Sequence, residues 1–236
     1  MSISLCIPTI DRWNFLSVNL PKYLANPYIN EIVVSDENGN DARMIKETFS
    51  DPKLRVYVNE TRIGPFFNKR KAISLASNSC VCLMDSDNYA PVSYFEQFYT
   101  FLDGKGPDEN TIYSPSFTIA QSNHPGFNFR MFNNIVIDKT NYKSEYVRYD
   151  TLFNLGNYIS SKSLHQKYCL TDEETNAAKE SWAVDVLYSN YLLITKSDAK
   201  MVTVPEMAYN HIVHNDSMYI QTHSKVNLNF YDSLYK

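Results

Sequence analysis

Cysteine is scarce: Cys6, Cys80, Cys82 and Cys169 are the four in 236 residues, too few for the disulfide framework of a small secreted scaffold. Three of them sit in or beside apolar, strand-like runs and read as buried reduced thiols. Cys80-Val81-Cys82 also lacks the two-residue gap of a zinc knuckle or redox pair. A second absence is any run of about 18 apolar residues, which excludes a membrane-spanning helix on sequence grounds. The N-terminus passes straight into Ile3-Ser4-Leu5-Cys6-Ile7 with no basic leader region. Together these absences predict a cytoplasmic chain without a membrane anchor of its own. Excess positive charge is missing as well. With 22 Lys and Arg against 26 Asp and Glu, the formal net charge is −4, and the basic footprint of a nucleic-acid reader is not there. No internal repeat or low-complexity segment appears, so disorder is not expected beyond the termini.

What is present is ordinary for a globular protein: 44% hydrophobic and 20% charged residues. The length suits one α/β domain, expected to span 1–236 as two halves, 1–105 and 106–236, that meet at the turn-rich Asp103 to Asn110. In the first half, short apolar runs alternate with helical patterns, the signature of βαβ units and a largely parallel sheet. Strands are predicted at Ile3 to Ile7, Glu31 to Ser35, Leu54 to Val58 and Val81 to Met84. Helices are predicted at Trp13 to Ala25, broken or restarted at Pro21, and at Asp41 to Thr48 and Phe67 to Ala76. The second half is less regular. It offers an aromatic amphipathic helix at Tyr94 to Leu102, strand-like pieces at Thr111 to Tyr113 and Phe127 to Ile137, a helix at Ser181 to Leu192, and a strand at Met201 to Val204. The tail from Ser217 to Tyr235 leans to helix.

In an open parallel sheet, ligands bind outside the carboxyl ends of the strands. All four predicted ends here are polar: Pro8-Thr9-Ile10-Asp11-Arg12, Asp36-Glu37-Asn38-Gly39, Asn59-Glu60-Thr61-Arg62 and Asp85-Ser86-Asp87-Asn88. One such end is a solvated loop; four in succession around a common edge describe a polar ligand site. Two carboxylates at i and i+2 past a buried strand can reach one hard cation, with substrate phosphates completing its shell. Asp85-Ser86-Asp87 is ordinary as a bare motif and gains weight from its position after the fourth strand.

Pro8-Thr9 with Asp11-Arg12, then Asp36, then Gly64 and Asn68 opening the third helix, then Asp85-Ser86-Asp87, resemble family 2 glycosyltransferases of the GT-A fold over about the first 90 residues. The chain is also similar to short GT-A modules encoded by large algal viruses. The resemblance implies a Rossmann-like, mostly parallel central sheet flanked by helices, with a smaller mixed sheet on the acceptor side. It implies a nucleotide-sugar donor, UDP-linked by preference, and a glycan or glycoconjugate acceptor. Pro8, Thr9 and Arg12 would lie by the nucleotide, with Ser86 beside them, and Asp36 would accept from the base edge. Asp87, and less directly Asp85, would hold Mn²⁺ or Mg²⁺ against the diphosphate. Asn68 and Lys69 stand where the family usually has an Arg-Asn pair, a departure in order; Lys69 or Arg70 would neutralise phosphate charge unless they are a solvated basic helix face.

Inverting GT-A enzymes share an acidic residue near the start of a late helix that deprotonates the acceptor hydroxyl. By resemblance, Asp185 is the first choice of base in Glu180-Ser181-Trp182-Ala183-Val184-Asp185, with Trp182 on its helix face as a stacking surface for sugar, and Glu180 is the second. Asp172, Glu173 and Glu174 follow Thr171 and read instead as a helix N-terminal turn. A late histidine often adds a metal or diphosphate contact in this family, which selects His214, then His211. Most of the aromatics are expected in the core, and Gln121 to Gly126 is a candidate lid. Two alternatives stay open. A sugar-nucleotide nucleotidyltransferase would normally carry a glycine-rich basic loop after its first strand, and the glycine-free Pro8 to Arg12 counts against it. A non-catalytic carbohydrate-binding module is the other.

Overall fold

In the computed structural model of the chain, residues 1–120, 125–143 and 152–236 are described. The continuous apolar runs of the first half form parallel strands, because strands covered on both faces must be apolar along their length. β1 (Ile3–Thr9) is buried at every position. It pairs in parallel with β2 (Ile29–Asp36) on one side and β4 (Cys80–Leu83) on the other, and β3 (Leu54–Val58) flanks β2. The intervening helices are α1 (Trp13–Leu24), α2 (Asn40–Thr48) and α3 (Pro65–Leu75). The expected break at Pro21 does not occur. That residue lies in the last turns of α1, where the missing N–H costs one hydrogen bond and the burial of Leu16, Leu20 and Tyr23 holds the helix to the sheet.

The second half continues the same sheet. Helix α4 (Val92–Leu102) leads to β5 (Thr111–Ile119), followed by β6 (Val136–Ile137), β7 (Ile159–Ser161) and β8 (Lys200–Asn210). β7 runs antiparallel to both β4 and β5 and so joins the halves. β8 pairs in parallel with β5 and antiparallel with β6, giving the order β3-β2-β1-β4-β7-β5-β8-β6. The smaller acceptor-side sheet of the sequence reading is thus the mixed half of one eight-stranded sheet among the described residues. The late strand was expected to stop before Pro205. It continues to Asn210 because a register shift opposite Pro115 to Phe117, with Glu206 at φ +59°, absorbs the residue that cannot donate. The expected strand at Phe127 to Ile137 is mostly irregular: Asn128 makes one bridge to Phe117, and a 3₁₀ turn at Arg130–Phe132 precedes the two residues of β6.

The helices α5 (Asp172–Glu180), α6 (Asp185–Lys196), α7 (Met218–Thr222) and α8 (Leu228–Ser233) cover the mixed half. The single helix expected from Ser181 is interrupted by a 3₁₀ turn at Trp182–Val184, so α6 begins at Asp185. Asp172, Glu173 and Glu174 do form a helix N-terminal turn. The Thr171 hydroxyl accepts from the Glu174 backbone N–H while the Glu174 carboxylate accepts from that of Thr171, a reciprocal cap. Cys6, Cys80 and Cys82 are buried free thiols, and Cys169 is exposed.

Candidate functional site

The carboxyl ends of β1 to β4 open onto a cleft of about 720 Å³, within the size range of small-molecule sites. Pro8, Thr9 and Arg12 line it from β1, Glu37 from β2, Arg62 from the β3 end, and Asp85 through Asn88 from β4. All four polar strand ends predicted from sequence therefore contribute to one cavity.

The contribution of β2 differs from expectation. Asp36 is fully buried off the cleft wall, and its carboxylate accepts from the backbone N–H groups of Asn38 at 3.1 Å and Ala42 at 2.8 Å. It ties the β2 end to the first turn of α2, where a carboxylate also meets the positive end of the helix. The next residue takes the place assigned to it. Glu37 lies on the wall, its Oε2 accepts from the backbone N–H of Ile63 at 2.7 Å, and its buried Oε1 has no hydrogen-bond partner in the protein. A buried acceptor of that kind calls for a ligand donor or ordered water. Sequence reasoning passed over Glu37 because both acids follow the strand, and alternation along β2 decides which of them faces the cleft.

Thr9 and Asn68 are cleft residues whose side chains are already engaged. The Thr9 hydroxyl donates to Asp41 at 2.5 Å. Asn68 accepts from the Ser35 hydroxyl at 2.7 Å and donates to the Ser35 carbonyl at 3.0 Å. Both position backbone. Arg12 donates to the Asp216 carbonyl at 2.6 Å and thereby fastens the segment after β8 across the cleft. Arg70 does not line the cleft; it donates to the His165 carbonyl at 2.9 Å and lies 4.6 Å over the Tyr168 ring.

Lys69 is not a phosphate ligand in this arrangement. Its ammonium sits 2.8 Å from Asp185 and 3.2 Å from Asp85. Burial would lower its pKa, but the two carboxylates outweigh burial and hold it above the ordinary lysine value. Burial also raises Asp185, and Lys69 offsets this only in part. Two acids sharing one cation leave net negative charge beside Asp185, a buried carboxyl whose pKa is raised. Asp185 heads α6 on the cleft wall, whereas Glu180 ends α5, is exposed and does not line the cleft. The second choice of base is therefore excluded by place. Trp182 shares the wall with Asp185, although the two do not share a helix: Trp182 lies in the 3₁₀ turn at φ +33°, with Arg62 5.6 Å over its ring.

His214 reaches Asp87, with Nε2 at 2.9 Å from Oδ2, and its ring lies 4.9 Å from Phe15. Two ligands about 2.1 Å from a divalent ion and at right angles to each other stand about 3 Å apart. Asp87 and His214 are accordingly spaced as two donors that would hold one such ion. Among the described residues no cluster of three His, Cys, Asp or Glu is found, and Asp85 is held by Lys69, so the remaining positions would fall to diphosphate oxygens and water. Asn88 joins the two elements that carry the pair: its Oδ1 accepts from the Ile212 N–H at 2.9 Å, and Tyr89 bridges Asn210. Asn157 accepts from the Asp85 N–H at 2.7 Å. His211 also lines the cleft, edge-on to Phe127. Neither histidine is helical; both follow the end of β8, as the strand-like residues before them foretold. Most of the predicted lid, residues 121–124, lies outside the described residues.

The sheet carries Asp87 after its fourth strand, His214 after its last and Asp185 at the head of α6, and solved structures match this fold. S. aureus TarS 1-349 in complex with UDP-GlcNAc superposes with a TM-score of 0.67 at 18% identity, over 92% of this chain and 60% of that one. GalNAc-T7 with UDP, GalNAc and Mn²⁺ gives 0.62 at 14% identity, over 92% and 44%. The mannosyltransferase PcManGT from Pyrobaculum calidifontis, in complex with GDP-Man and Mn²⁺, gives 0.57 at 14% identity, over 92% and 58%. The chain thus spans about three fifths of the length of TarS 1-349. The sequence model described as glycosyl transferase family 2 matches residues 4–148, and the chain belongs to that family. No curated protein matches it.

Proposed function

We propose that the chain, acting as one domain over residues 1–236, transfers a sugar from a nucleoside-diphosphate sugar, UDP-linked by preference, to an acceptor hydroxyl with inversion at the anomeric carbon. The observation that supports this reading is the cleft itself, lined by Glu37 with its unpartnered oxygen, by Asp185 and by Asp87, which His214 meets at 2.9 Å. TarS 1-349 in complex with UDP-GlcNAc and GalNAc-T7 with UDP and Mn²⁺ support the donor, and GalNAc-T7 and PcManGT with Mn²⁺ support the ion.

Glu37 accepts a hydrogen bond from the base, a donor group that uracil offers at N3. Asp87 and His214 would hold Mn²⁺ or Mg²⁺, which supplies charge stabilisation for the departing diphosphate. A carboxylate oxygen of Asp185 takes the proton of the acceptor hydroxyl while the acceptor oxygen bonds to C1. The bond from C1 to the diphosphate oxygen breaks, and its electron pair leaves with the nucleoside diphosphate. Lys69 offsets part of the effect of burial on Asp185 and holds its carboxylate in place. The acceptor is a glycan or glycoconjugate.

A thermal-shift screen of UDP-, GDP- and dTDP-sugars, each with and without Mn²⁺, tests the reading, because a bound ligand stabilises the folded state by mass action. A Mn²⁺-dependent rise with UDP-sugars is expected. Equal shifts with and without the ion would remove Asp87 and His214 from the site.

A further inference from the structure

The cleft has two chemically unlike walls. On the donor side the groups are polar and charged. Beyond Asp185 the wall carries Trp182, Met218, Tyr219, Ile220 and Leu228, with the polar Ser217, Tyr231 and Asp232 among them, and three of the apolar ones are unusually open: Tyr219 is 53% exposed, Ile220 44% and Leu228 43%. They are held there by design of the fold rather than by disorder of a tail. The Trp182–Val184 turn packs directly on Met218–Thr222, Tyr231 donates to the Ala177 carbonyl at 2.6 Å, and Arg12 pins the carbonyl of Asp216, two residues before α7. The wall is thus continuous from the diphosphate side, past the residue proposed as base, to α8.

Resting on the proposed transferase reading, we infer that this wall receives the acceptor and that the acceptor is amphipathic: a hydroxyl-bearing head reaching Asp185, with an aliphatic tail along Met218, Ile220 and Leu228. A sugar ring has apolar faces that stack on Trp182 or Tyr219, but its equatorial hydroxyls need hydrogen-bond partners. Aliphatic side chains have none to offer, and a polar acceptor laid against them would lose its water without replacement. An alkyl tail gains by the same contact, in proportion to the area it covers.

The chain has two tryptophans, Trp13 and Trp182. In a Trp13→Phe background, quenching of Trp182 on titration with methyl, hexyl and octyl β-D-glucosides, kept below micellar concentrations, reads binding at this wall without requiring turnover. The dissociation constant is expected to fall about tenfold or more from methyl to octyl, a modest return on seven added methylenes that are partly covered. Ile220→Ser with Leu228→Ser should flatten that dependence to within about threefold; both side chains are exposed, and an unchanged urea midpoint would confirm that the fold survives. Equal affinity for all three probes, or an undiminished chain-length effect in the double variant, would overturn the inference. So would a dimer in solution that the double variant splits, which would give the wall to a second copy of the chain. Mn²⁺-dependent UDP binding measured on the same samples separates the two claims: its loss would sink the transferase reading and leave the tail preference to stand or fall on the glucosides.

Discussion

Two neighbouring acids, Asp36 and Glu37, show how much one residue of alternation decides. Both are buried, yet Asp36 is saturated by two backbone N–H groups while Glu37 keeps a bare oxygen at the cleft. Their substitutions should therefore separate cleanly. Glu37→Gln should weaken UDP binding by about tenfold, read by calorimetry, with little change in thermal midpoint, since one charged hydrogen bond to ligand is worth about 1.5–3 kcal/mol. Asp36→Ala should cost about 1–3 kcal/mol for each N–H left unpaired, read from denaturant curves. The opposite pattern would restore Asp36 as the base-edge acceptor. The proposed chemistry sets a second pair of outcomes. Asp185→Asn should lower turnover by about 10²–10⁴, the usual range for a general base. Asp87→Ala should lower Mn²⁺-dependent turnover at least as much, because charge on the leaving diphosphate is the larger problem. Turnover by Asp87→Ala that still responds to Mn²⁺ would refute the assigned ion site. Asp85 and Asp87 were picked from their position after a strand, and Asp185 and His214 from the family resemblance; Asp85, Asp87 and Asp185 line the cleft and His214 meets Asp87. The salt link through Lys69 was not legible, since Lys69 and Asp185 are 116 positions apart.

Among the elements, the parallel strands and the helices between them matched the sequence closely, because burial on both faces leaves an unbroken apolar run that few other structures explain. Errors gathered where tertiary contacts override local preference. Pro21 stays inside α1, β8 runs through Pro205, and the helix expected at Ser181 waits until Asp185. The interruption has a consequence for the site. Trp182 faces the cleft from a turn with positive φ rather than from a helix face, so its place depends on α5 ending one turn earlier. The cap that starts α5 is a direct test of local energetics. Thr171→Ala removes one half of a reciprocal cap and should cost about 0.5–2 kcal/mol, a fall of a few degrees in thermal midpoint for a chain of this size. No change would mean that the α5 N-terminus is held by packing alone.

For the molecule as a whole, two buried groups contribute to the response to acid. His165 is held neutral with its pKa lowered to about 3, chiefly by burial and secondarily by Arg70. The unfolded chain therefore binds more protons than the folded one between the ordinary histidine value of about 6.5 and 3, and stability is lost as pH falls through that interval. Burial alone would raise Glu31, but hydrogen bonds from Ser4, the Ser77 backbone and Arg55 outweigh it and lower its pKa to about 2. Its contribution is present above about 4.5 and lost towards 2. Thermal midpoints should accordingly decline in two stages below pH 7, and His165→Phe should flatten the upper stage while leaving the lower one; a single transition unaffected by that variant would refute the assignment. Neither group touches the cleft. His165 and Arg70 meet on the far side of α3, and Glu31 lies at the opposite end of β2 from Glu37. Acid stability and chemistry are thus carried by different ends of the sheet. By itself, the sequence determined that the chain would build a parallel α/β sheet with a polar edge and an Asp-x-Asp turn after its fourth strand, since periodicity, burial and turn residues are local properties. Which acid faces the cleft, which histidine meets Asp87, and that Lys69 pairs with two carboxylates were decided only by the tertiary structure, because each depends on how the chain is arranged in space.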